Sequence, residues 1–201
     1  YYPLIVEEYR ARIDSGGAGL YRGGCGIKKV YRFLADGRIT YQDDRYHTYP
    51  YGVGGGKPGA SSKKTLIRAN GETVELPSKV RDVPVFAGDR LIFETAGAGG
   101  VGDPLERDPE LVAKDVRWNL VSREAARRDY GVVLKDDGSV DAAATEAERA
   151  KIRATRGPLP EFDHGDLPPL EELSRIVAAT RRSFNEWLSH ELGRTRLNGV
   201  S

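Results

Sequence analysis

The 201 residues suffice for one domain, with or without a smaller appendage, and their 39% hydrophobic and 30% charged content is typical of a globular protein. The formal net charge is +1, and acidic and basic residues are interleaved, so the composition gives no reason to expect binding to nucleic acid or to an anionic membrane. No segment contains the ~20 apolar residues that cross a membrane.

The start of the chain is apolar and strand-like, and the sequence has no methionine. Polypeptide ends are more often polar and poorly ordered. We therefore expect a processed chain or part of a longer polypeptide. The single cysteine, Cys25, cannot form an internal disulfide and is consistent with the reducing cytoplasm, which is the expected location.

Residues 1–104 contain the short, alternating apolar segments of an antiparallel β unit, such as a sandwich or a barrel. The dipeptides Asp36-Gly37 and Asn70-Gly71 each lie between two such segments and predict tight hairpin turns of the primed types. The predicted strands are 4–12, 27–34, 38–41, 65–69 and 73–76, with a further turn and strand within 85–94.

The 24 glycines are concentrated in three runs, at 14–26, 51–59 and 95–104. Because these runs also contain Arg, Asp, Tyr, Lys and Pro, they differ from flexible Gly/Ser linkers and predict ordered loops. Gly99 and Gly100 are expected to have backbone conformations of positive φ, which are closed to residues with side chains.

After residue 104 the apolar residues take a helical period. Asp108 and Ser122 are suitable N-cap residues for two helices, and a short strand is expected at 130–134. Residues 141–156 are rich in Ala, Glu and Arg and predict a third helix, and 168–192 predicts a fourth with an apolar face.

Together these elements predict an α+β fold. The expected parts are a β-rich unit with glycine-rich loops at 1–104, a helical segment with one short strand at 105–157 packed on it, and an amphipathic helical tail at 158–201. The tail is expected to dock on the β unit or on a partner.

The histidines His47, His164 and His190 lie in separate segments, and no pair has the spacing of metal ligands. We therefore expect no metal to be bound by this chain alone. His47 precedes the second glycine run, where an ordinary loop histidine is favoured over a substrate-positioning one. Cys25 lies between two glycines, where a packing role is favoured over that of a nucleophile.

Charged residues within the glycine runs are further candidates for positioning a substrate. Asp14 and Arg22 lie in the first run and can pair across it. Lys57 ends a triglycine segment that resembles a phosphate loop, but Pro58 and Gly59 follow where a helix should begin, which argues against nucleotide binding. The glycine amides could form an anion-binding nest, although a tight turn is the simpler interpretation. If the first two runs meet, Asp14, Arg22 and Lys57 line one wall of a shared cleft.

Taken in order, these segments resemble the C-terminal part of the hydantoinase B/oxoprolinase family. Ala96 and Ala98 stand where the family often has Pro and Gly, which we interpret as tolerated loop variation. The resemblance extends over about 4–156 and rests on the residues 14–24, 51–59, 88–89, 99–109 and 130–134.

This resemblance implies a component of a larger ATP-dependent enzyme. Members of the family work with a hydantoinase A-like subunit that binds ATP and Mg²⁺, and they hydrolyse cyclic amides such as hydantoins or 5-oxoproline. Close relatives carboxylate acetone or acetophenone. In both branches ATP activates an otherwise unreactive oxygen by phosphorylation. The family's divalent-metal ligands belong to the N-terminal half of the same subunit, so the metal and most catalytic groups are expected there and in the ATP-binding partner.

Two classes of function remain open at this point. The first is a component of a cyclic-amide hydrolase, with an ATP-dependent ketone carboxylase as its alternative. The second is a non-catalytic scaffolding module within such a complex. No catalytic residue is assigned, and Asp14, Arg22, His47 and Lys57 are the candidates for positioning a small-molecule substrate.

Overall fold

The structure is a computed structural model and describes residues 2–197. Strands dominate the N-terminal part and helices the C-terminal part, which confirms the predicted α+β fold. The strands are β1 (Leu4–Ala11), β2 (Ile27–Phe33), β3 (Gly37–Gln42), β4 (Gly52–Val53), β5 (Lys63–Ile67), β6 (Thr73–Leu76), β7 (Lys79–Val85), β8 (Arg90–Glu94) and β9 (Phe162–Asp163). The helices are α1 (Pro109–Arg117), α2 (Arg123–Tyr130), α3 (Ala142–Thr155) and α4 (Leu170–Leu197), and a short 3₁₀ helix at Pro104–Glu106 precedes α1.

Five strands form the main antiparallel sheet in the order β1-β2-β8-β5-β6, while β3 pairs with β7 and β4 with β9. The core lies where the main sheet and the β3–β7 pair bring their apolar side chains together. Full burial of one such side chain stabilises the fold by about 1.5–3 kcal/mol. Buried members of this core include Phe33, Leu66, Leu76, Val83 and Val85.

The hairpin predicted at Asn70-Gly71 is present, but its turn is not of a primed type. β5 and β6 pair antiparallel on either side of it. The amide of Gly71 donates to the carbonyl of Arg68 at 2.9 Å, and Gly71 has a φ of 89° while Asn70 does not have positive φ. This is the pattern of a three-residue loop with glycine in the left-handed position.

The hairpin predicted at Asp36-Gly37 is wrong. β2 pairs with β8, and β3 pairs with β7, so the dipeptide joins two different sheets. Gly37 starts β3 without positive φ, and the Asp36 carboxylate accepts a hydrogen bond from the amide of Ala87 at 3.0 Å. The local turn signal was outweighed by pairing with a strand far along the chain, whose apolar side fills the core.

The strand predicted at 130–134 is also wrong. Tyr130 is the last residue of α2, and Gly131 caps that helix in the left-handed conformation with a φ of 62°. Beyond the cap, Leu134 forms only an isolated bridge with Val140. The apolar residues of this segment are buried against helices rather than paired in a sheet, as Val132 is 1% exposed in the helical cluster.

The predicted N-caps are confirmed for α1 and α2. Asp108 accepts a hydrogen bond from the amide of Glu110 at 2.9 Å, and Ser122 accepts one from Ala125 at 3.0 Å. Residues of both helices form a second apolar cluster that also contains Ala18 of the first glycine run. The helices therefore pack directly on the glycine-rich loops.

The tail helix α4 docks on the β-rich part of the chain. Phe184 is buried in the core between the main sheet and the β3–β7 pair, and Leu188 packs against that core. Arg68 of the sheet region pairs with Glu191 at 2.6 Å. Both apolar clusters thus combine residues from more than one of the three predicted parts, and the boundaries at 104 and 157 stay a prediction.

In the described part of the chain, no helix combines the length and apolarity needed to cross a membrane.

Candidate functional site

The three glycine runs, residues 14–26, 51–59 and 95–104, meet in one place, which we call the glycine-loop cluster. A Cβ atom on Gly17 would lie 2.1 Å from the carbonyl oxygen of Lys57, and one on Gly56 would lie 2.2 Å from that of Gly100. A Cβ on Gly100 would lie 2.1 Å from the oxygen of Ala18. No real Cβ atom tolerates such distances, so each run needs glycine where it crosses the next.

Backbone hydrogen bonds join the runs to one another. The amide of Gly17 donates to Ala98 at 2.8 Å, and that of Lys57 donates to Ala18 at 2.7 Å. The amide of Gly100 donates to Lys57 at 2.9 Å. Each run is therefore bonded to both of the others, which gives the cluster a defined shape without a side-chain core.

The constraint on Gly99 and Gly100 is different from the one predicted. Neither residue has positive φ. A Cβ on Gly99 would lie 1.8 Å from the carbonyl oxygen of Tyr51, so close approach of two backbones, not a left-handed conformation, excludes larger residues. The same loop does contain a left-handed glycine, Gly102, with a φ of 76°.

The triglycine segment forms a tight turn. Gly54 and Gly55 have φ angles of 57° and 91°, and the amide of Gly56 donates back to Val53 at 3.1 Å. The amides of Gly54 and Gly55 donate to carbonyls of 160–161 at 2.7 Å and 3.0 Å. Because all three amides are already bonded, the alternative of an anion-binding nest has no free donors here.

Asp14 and Arg22 do not pair with each other. The carboxylate of Asp14 accepts from the amide of Ser122, the N-cap of α2, at 2.7 Å. Arg22 instead donates through Nε to Asp115 of α1 at 3.1 Å and through Nη1 to the carbonyl of Gly23 at 2.6 Å. The expected ion pair across the first run is therefore wrong, because both side chains have partners in the helices or the adjacent backbone.

Lys57 is tied to helix α2. Its Nζ lies 2.7 Å from Oδ1 of Asp129. Burial alone would raise the pKa of Asp129, but hydrogen bonds from Arg128 and Lys57 outweigh it and hold that pKa below its ordinary value. This ion pair fixes the second glycine run against the helical segment.

His47 lies apart from the other three candidates, in a cavity between the β3–β7 pair and α4. Its ring packs edge-on against Tyr46 at 4.8 Å. Burial lowers the pKa of His47, and the nearby charge of Glu75 opposes this only partly. The imidazole is thus neutral at neutral pH.

A cleft of about 370 Å³ opens beside the second glycine run. Of the four candidates only Asp14 lines it, together with Tyr49 and the backbone of Gly59. The first two glycine runs do meet, as the shared-cleft expectation required, but Arg22 and Lys57 do not line this cleft and act instead as links to the helices. Further acidic residues, Asp163 and Asp166, complete its rim.

Asp115 is the important residue that the sequence analysis missed. It is 6% exposed and accepts hydrogen bonds from Arg22 and, at 3.0 Å, from Arg107. A signal was present, since Asp115 follows the apolar Val112 by three residues and therefore lies on the buried face of α1. Within residues 2–197, no three His, Cys, Asp or Glu side chains converge as metal ligands would.

The outer surface of the cluster carries exposed apolar side chains. Tyr21 is 68% exposed, and its backbone forms an isolated antiparallel β-bridge with that of Val101, which is 47% exposed. Tyr51 lies 5.8 Å from Phe162 and 5.5 Å from His164, measured between ring centres. The cluster therefore combines a backbone interior with an aromatic exterior.

Residues 1–104, which include all three glycine runs, match the family model for hydantoinase B/oxoprolinase. The chain belongs to the hydantoinase B/oxoprolinase family. This finding confirms the resemblance inferred from the glycine runs.

Individual curated proteins are similar to this chain over most of its length. A protein of Methanocaldococcus jannaschii is 40% identical over 141 residues, which is 69% of this chain and 25% of that protein. The caprolactamase subunit beta of Pseudomonas jessenii is 35% identical over 153 residues, or 74% and 26% of the two chains. The acetone carboxylase alpha subunit of Xanthobacter autotrophicus is 29% identical over 192 residues, or 77% and 25%. The chain spans about a quarter of the length of these relatives.

Two solved structures have the same fold over this region. The ATP-dependent caprolactamase from Pseudomonas jessenii superposes with a TM-score of 0.66 and 34% identity, covering 74% of this chain and 26% of that one. Nucleotide-free acetone carboxylase superposes with a TM-score of 0.62 and 26% identity, covering 78% and 26%.

Proposed function

We propose that this chain is the C-terminal region of a hydantoinase B-like subunit that hydrolyses cyclic amides, such as hydantoins or 5-oxoproline, together with an ATP-binding hydantoinase A-like subunit. The observation that carries the proposal is the glycine-loop cluster, because all three runs lie within the family match. The similarity to a caprolactamase subunit supports the same reaction class, since a caprolactam is also a cyclic amide.

In this proposal the chain supplies shape and not the reactive groups. Its described residues offer no set of donors that fits a divalent metal. We assign the metal to the N-terminal half of the subunit, and ATP with Mg²⁺ to the partner. ATP would supply the activation of the amide oxygen by phosphorylation, which turns an unreactive amide into a better electrophile.

Asp14 is the candidate best situated to meet a substrate. Its side chain is exposed at the cleft, and its backbone has a φ of 59°, held by the bond to Ser122. A carboxylate in that position can accept a hydrogen bond from a ring N–H, which cyclic amides possess. Arg22 and Lys57 act indirectly, by holding the loops against α1 and α2.

An ATP-dependent ketone carboxylase is the alternative reaction. It is supported by the superposition on acetone carboxylase and by the long alignment with its alpha subunit. A scaffolding role without a direct substrate contact is the second alternative, supported by the use of the glycine amides within the cluster itself.

The test is an assay of the complete subunit co-purified with its ATP-binding partner. We expect ATP hydrolysis to be stimulated by hydantoin, 5-oxoproline or a lactam, with opening of the ring. Stimulation only by a ketone with bicarbonate would favour the carboxylase, and absence of any stimulation would overturn both enzyme assignments.

A variant separates positioning from scaffolding. Asp14→Asn keeps an oxygen that can accept from Ser122, and asparagine tolerates positive φ. The matched control is Asp36→Asn, an exposed carboxylate that likewise accepts one backbone hydrogen bond. If Asp14 positions substrate, its variant raises KM or lowers kcat while the complex still assembles; parent-like kinetics would favour the scaffold.

A further inference from the structure

A second cavity, of about 420 Å³, lies between helix α4 and the β3–β7 pair. It shares no lining residue with the cleft of about 370 Å³ beside the second glycine run. Sites for small molecules have volumes of roughly 300–1,000 Å³ and walls that are mostly apolar. This cavity, which we call the α4 cavity, is of that size, and part of its wall is apolar, formed by Tyr41 and Val80 of the sheet and by Phe184 and Leu188 of the helix.

The spacing of residues on α4 directs one row of side chains to this cavity. Val177, Arg181, Phe184 and Leu188 follow one another at intervals of three or four residues and all line it. The row is apolar except for Arg181. One helix face therefore contributes both the apolar surface and a positive charge.

The charged residues that line the α4 cavity are all basic. They are Lys79 and Arg81 from β7 and Arg181 from α4, and no acidic residue is among the lining residues. Within residues 2–197, neither Lys79 nor Arg181 has an ion-pair partner, and Arg81 is 3.5 Å from the exposed carboxylate of Asp82. An excess of positive charge beside an apolar wall favours a ligand with one negative end.

Two further polar side chains, Tyr41 and His47, line the α4 cavity, and neither carries a negative charge that would oppose an anion. The hydroxyl of Tyr41 donates to the carbonyl of Pro77 at 2.7 Å and so is already used. His47 also lines the cavity, and no hydrogen bond of its ring is formed with the described residues. Its ring nitrogens therefore remain available to a ligand.

We propose that the α4 cavity binds an amphipathic anion, with an apolar body of the size of a short acyl chain or one aromatic ring and a carboxylate or phosphate head group. The body lies against Phe184 and Leu188, and the head group lies near Lys79 and Arg181. This site is independent of the cyclic-amide reaction proposed above.

The test is a titration of the full chain followed by two-dimensional amide NMR. The probes are octanoate and octyl phosphate, with octanamide and octylamine as the neutral and cationic counterparts. We expect saturable shifts around Val80 and Phe184, and an affinity for the better anion about tenfold above that for octanamide, since charge-assisted hydrogen bonds supply about that difference. The anion that binds with the higher affinity, octanoate or octyl phosphate, identifies the head group as a carboxylate or a phosphate.

Charge-removing variants test the site itself. Arg181→Gln should weaken anion binding by about threefold, as expected for an exposed charge, and combining it with Lys79→Gln should remove most of the preference over octanamide. The matched control, Arg182→Gln, removes the same charge from the next position of α4, which does not line the cavity. Equal affinities for anion and amide, shifts confined to other surfaces, no saturation, or equal effects of both arginine variants would each overturn the proposal.

Discussion

Arg22 and Asp115 join the first glycine run to helix α1 through a nearly buried ion pair. Nε of Arg22 lies 3.1 Å from Oδ2 of Asp115, and both side chains are at most 14% exposed. Asp115 also accepts from Arg107, so a single carboxylate holds two guanidinium groups. The orientation of the loop therefore depends on a residue of a different element.

Replacing Arg22 tests the importance of its several hydrogen bonds. Arg22→Lys keeps the charge but cannot donate to Asp115, the carbonyl of Gly23 and the sulfur of Cys25 together. We expect the free energy of unfolding to fall by about 1–2 kcal/mol, measured by urea denaturation. Arg90→Lys is the control, since Arg90 pairs with Glu7 but is 50% exposed, and it should lose less stability than Arg22→Lys. Equal losses would contradict this interpretation.

Gly100 tests the close backbone packing. Gly100→Ala puts a Cβ 2.1 Å from the carbonyl oxygen of Ala18, so the loops must separate. We expect a loss of about 3 kcal/mol in the free energy of unfolding. Gly24→Ala is the matched control in the first run, because a Cβ there meets nothing within 4 Å. A parent-like melting temperature for both variants would refute the packing argument.

The pair of Asp103 and Arg156 predicts a pH dependence of stability. Two hydrogen bonds from Arg156 hold the pKa of Asp103 below its ordinary value. Because the folded pKa is the lower one, the stabilisation is complete above the unfolded pKa, near 3.8, and is lost as the pH falls through the folded value.

We therefore expect Asp103→Asn to lose about 1.5 kcal/mol at neutral pH and to differ less from the parent as the pH falls below 3.8 and through the lowered pKa of Asp103. Denaturation curves at several pH values check this. Asp136→Asn removes the same charge from an exposed turn with no ion-pair partner in the described chain, and serves as the control. A difference that stays constant as the pH falls would exclude the electrostatic explanation.

Arg68 is the buried cation that links the sheet to α4. It pairs with Asp89 and with Glu191, each at 2.6 Å, and is 6% exposed. Arg68→Met removes the cation from two buried carboxylates, so we expect a loss of about 3 kcal/mol or more. Because the guanidinium lies 5.2 Å from the ring of Trp187, its removal should also change the fluorescence of that residue.

The fluorescence of Trp187 needs one control. Trp118 is the other tryptophan and is 61% exposed at the end of α1. The fluorescence change caused by Arg68→Met is therefore measured in a chain that also carries Trp118→Phe, so that only Trp187 contributes. Arg90→Met should leave both stability and the spectrum close to those of the parent. If Arg68→Met leaves the Trp187 spectrum unchanged, α4 does not depend on this buried cation for docking.

Local signals in the sequence predicted part of the local structure. The N-caps Asp108 and Ser122 work within three residues of the chain, and the hairpin at Asn70-Gly71 joins strands that are adjacent in sequence. The same reasoning failed at Asp36-Gly37, because β3 pairs with a strand that begins at Lys79. Turn chemistry fixes a reversal of the chain only where the neighbouring strands also pair.

The glycine runs could be recognised, but the partners of their charged residues could not. Asp115, which holds Arg22, is 93 residues away in the chain, and Asp129, which holds Lys57, is 72 residues away. A pairing across the run was the nearest choice available to sequence reasoning. Only the packing of α1 and α2 on the loops decides which acids are within reach.

The glycine-loop cluster separates what maintains its shape from what a partner can contact. Its interior contains backbone atoms, so no rotamer change is available there to absorb an added methyl group. The side chains of Tyr21, Tyr51 and Val101 project outward, and only their backbone atoms contribute to that interior. Substitutions of these outer side chains can therefore accumulate without altering the path of the loops. Within one family, such a framework permits contacts with new molecules to evolve while its geometry is retained.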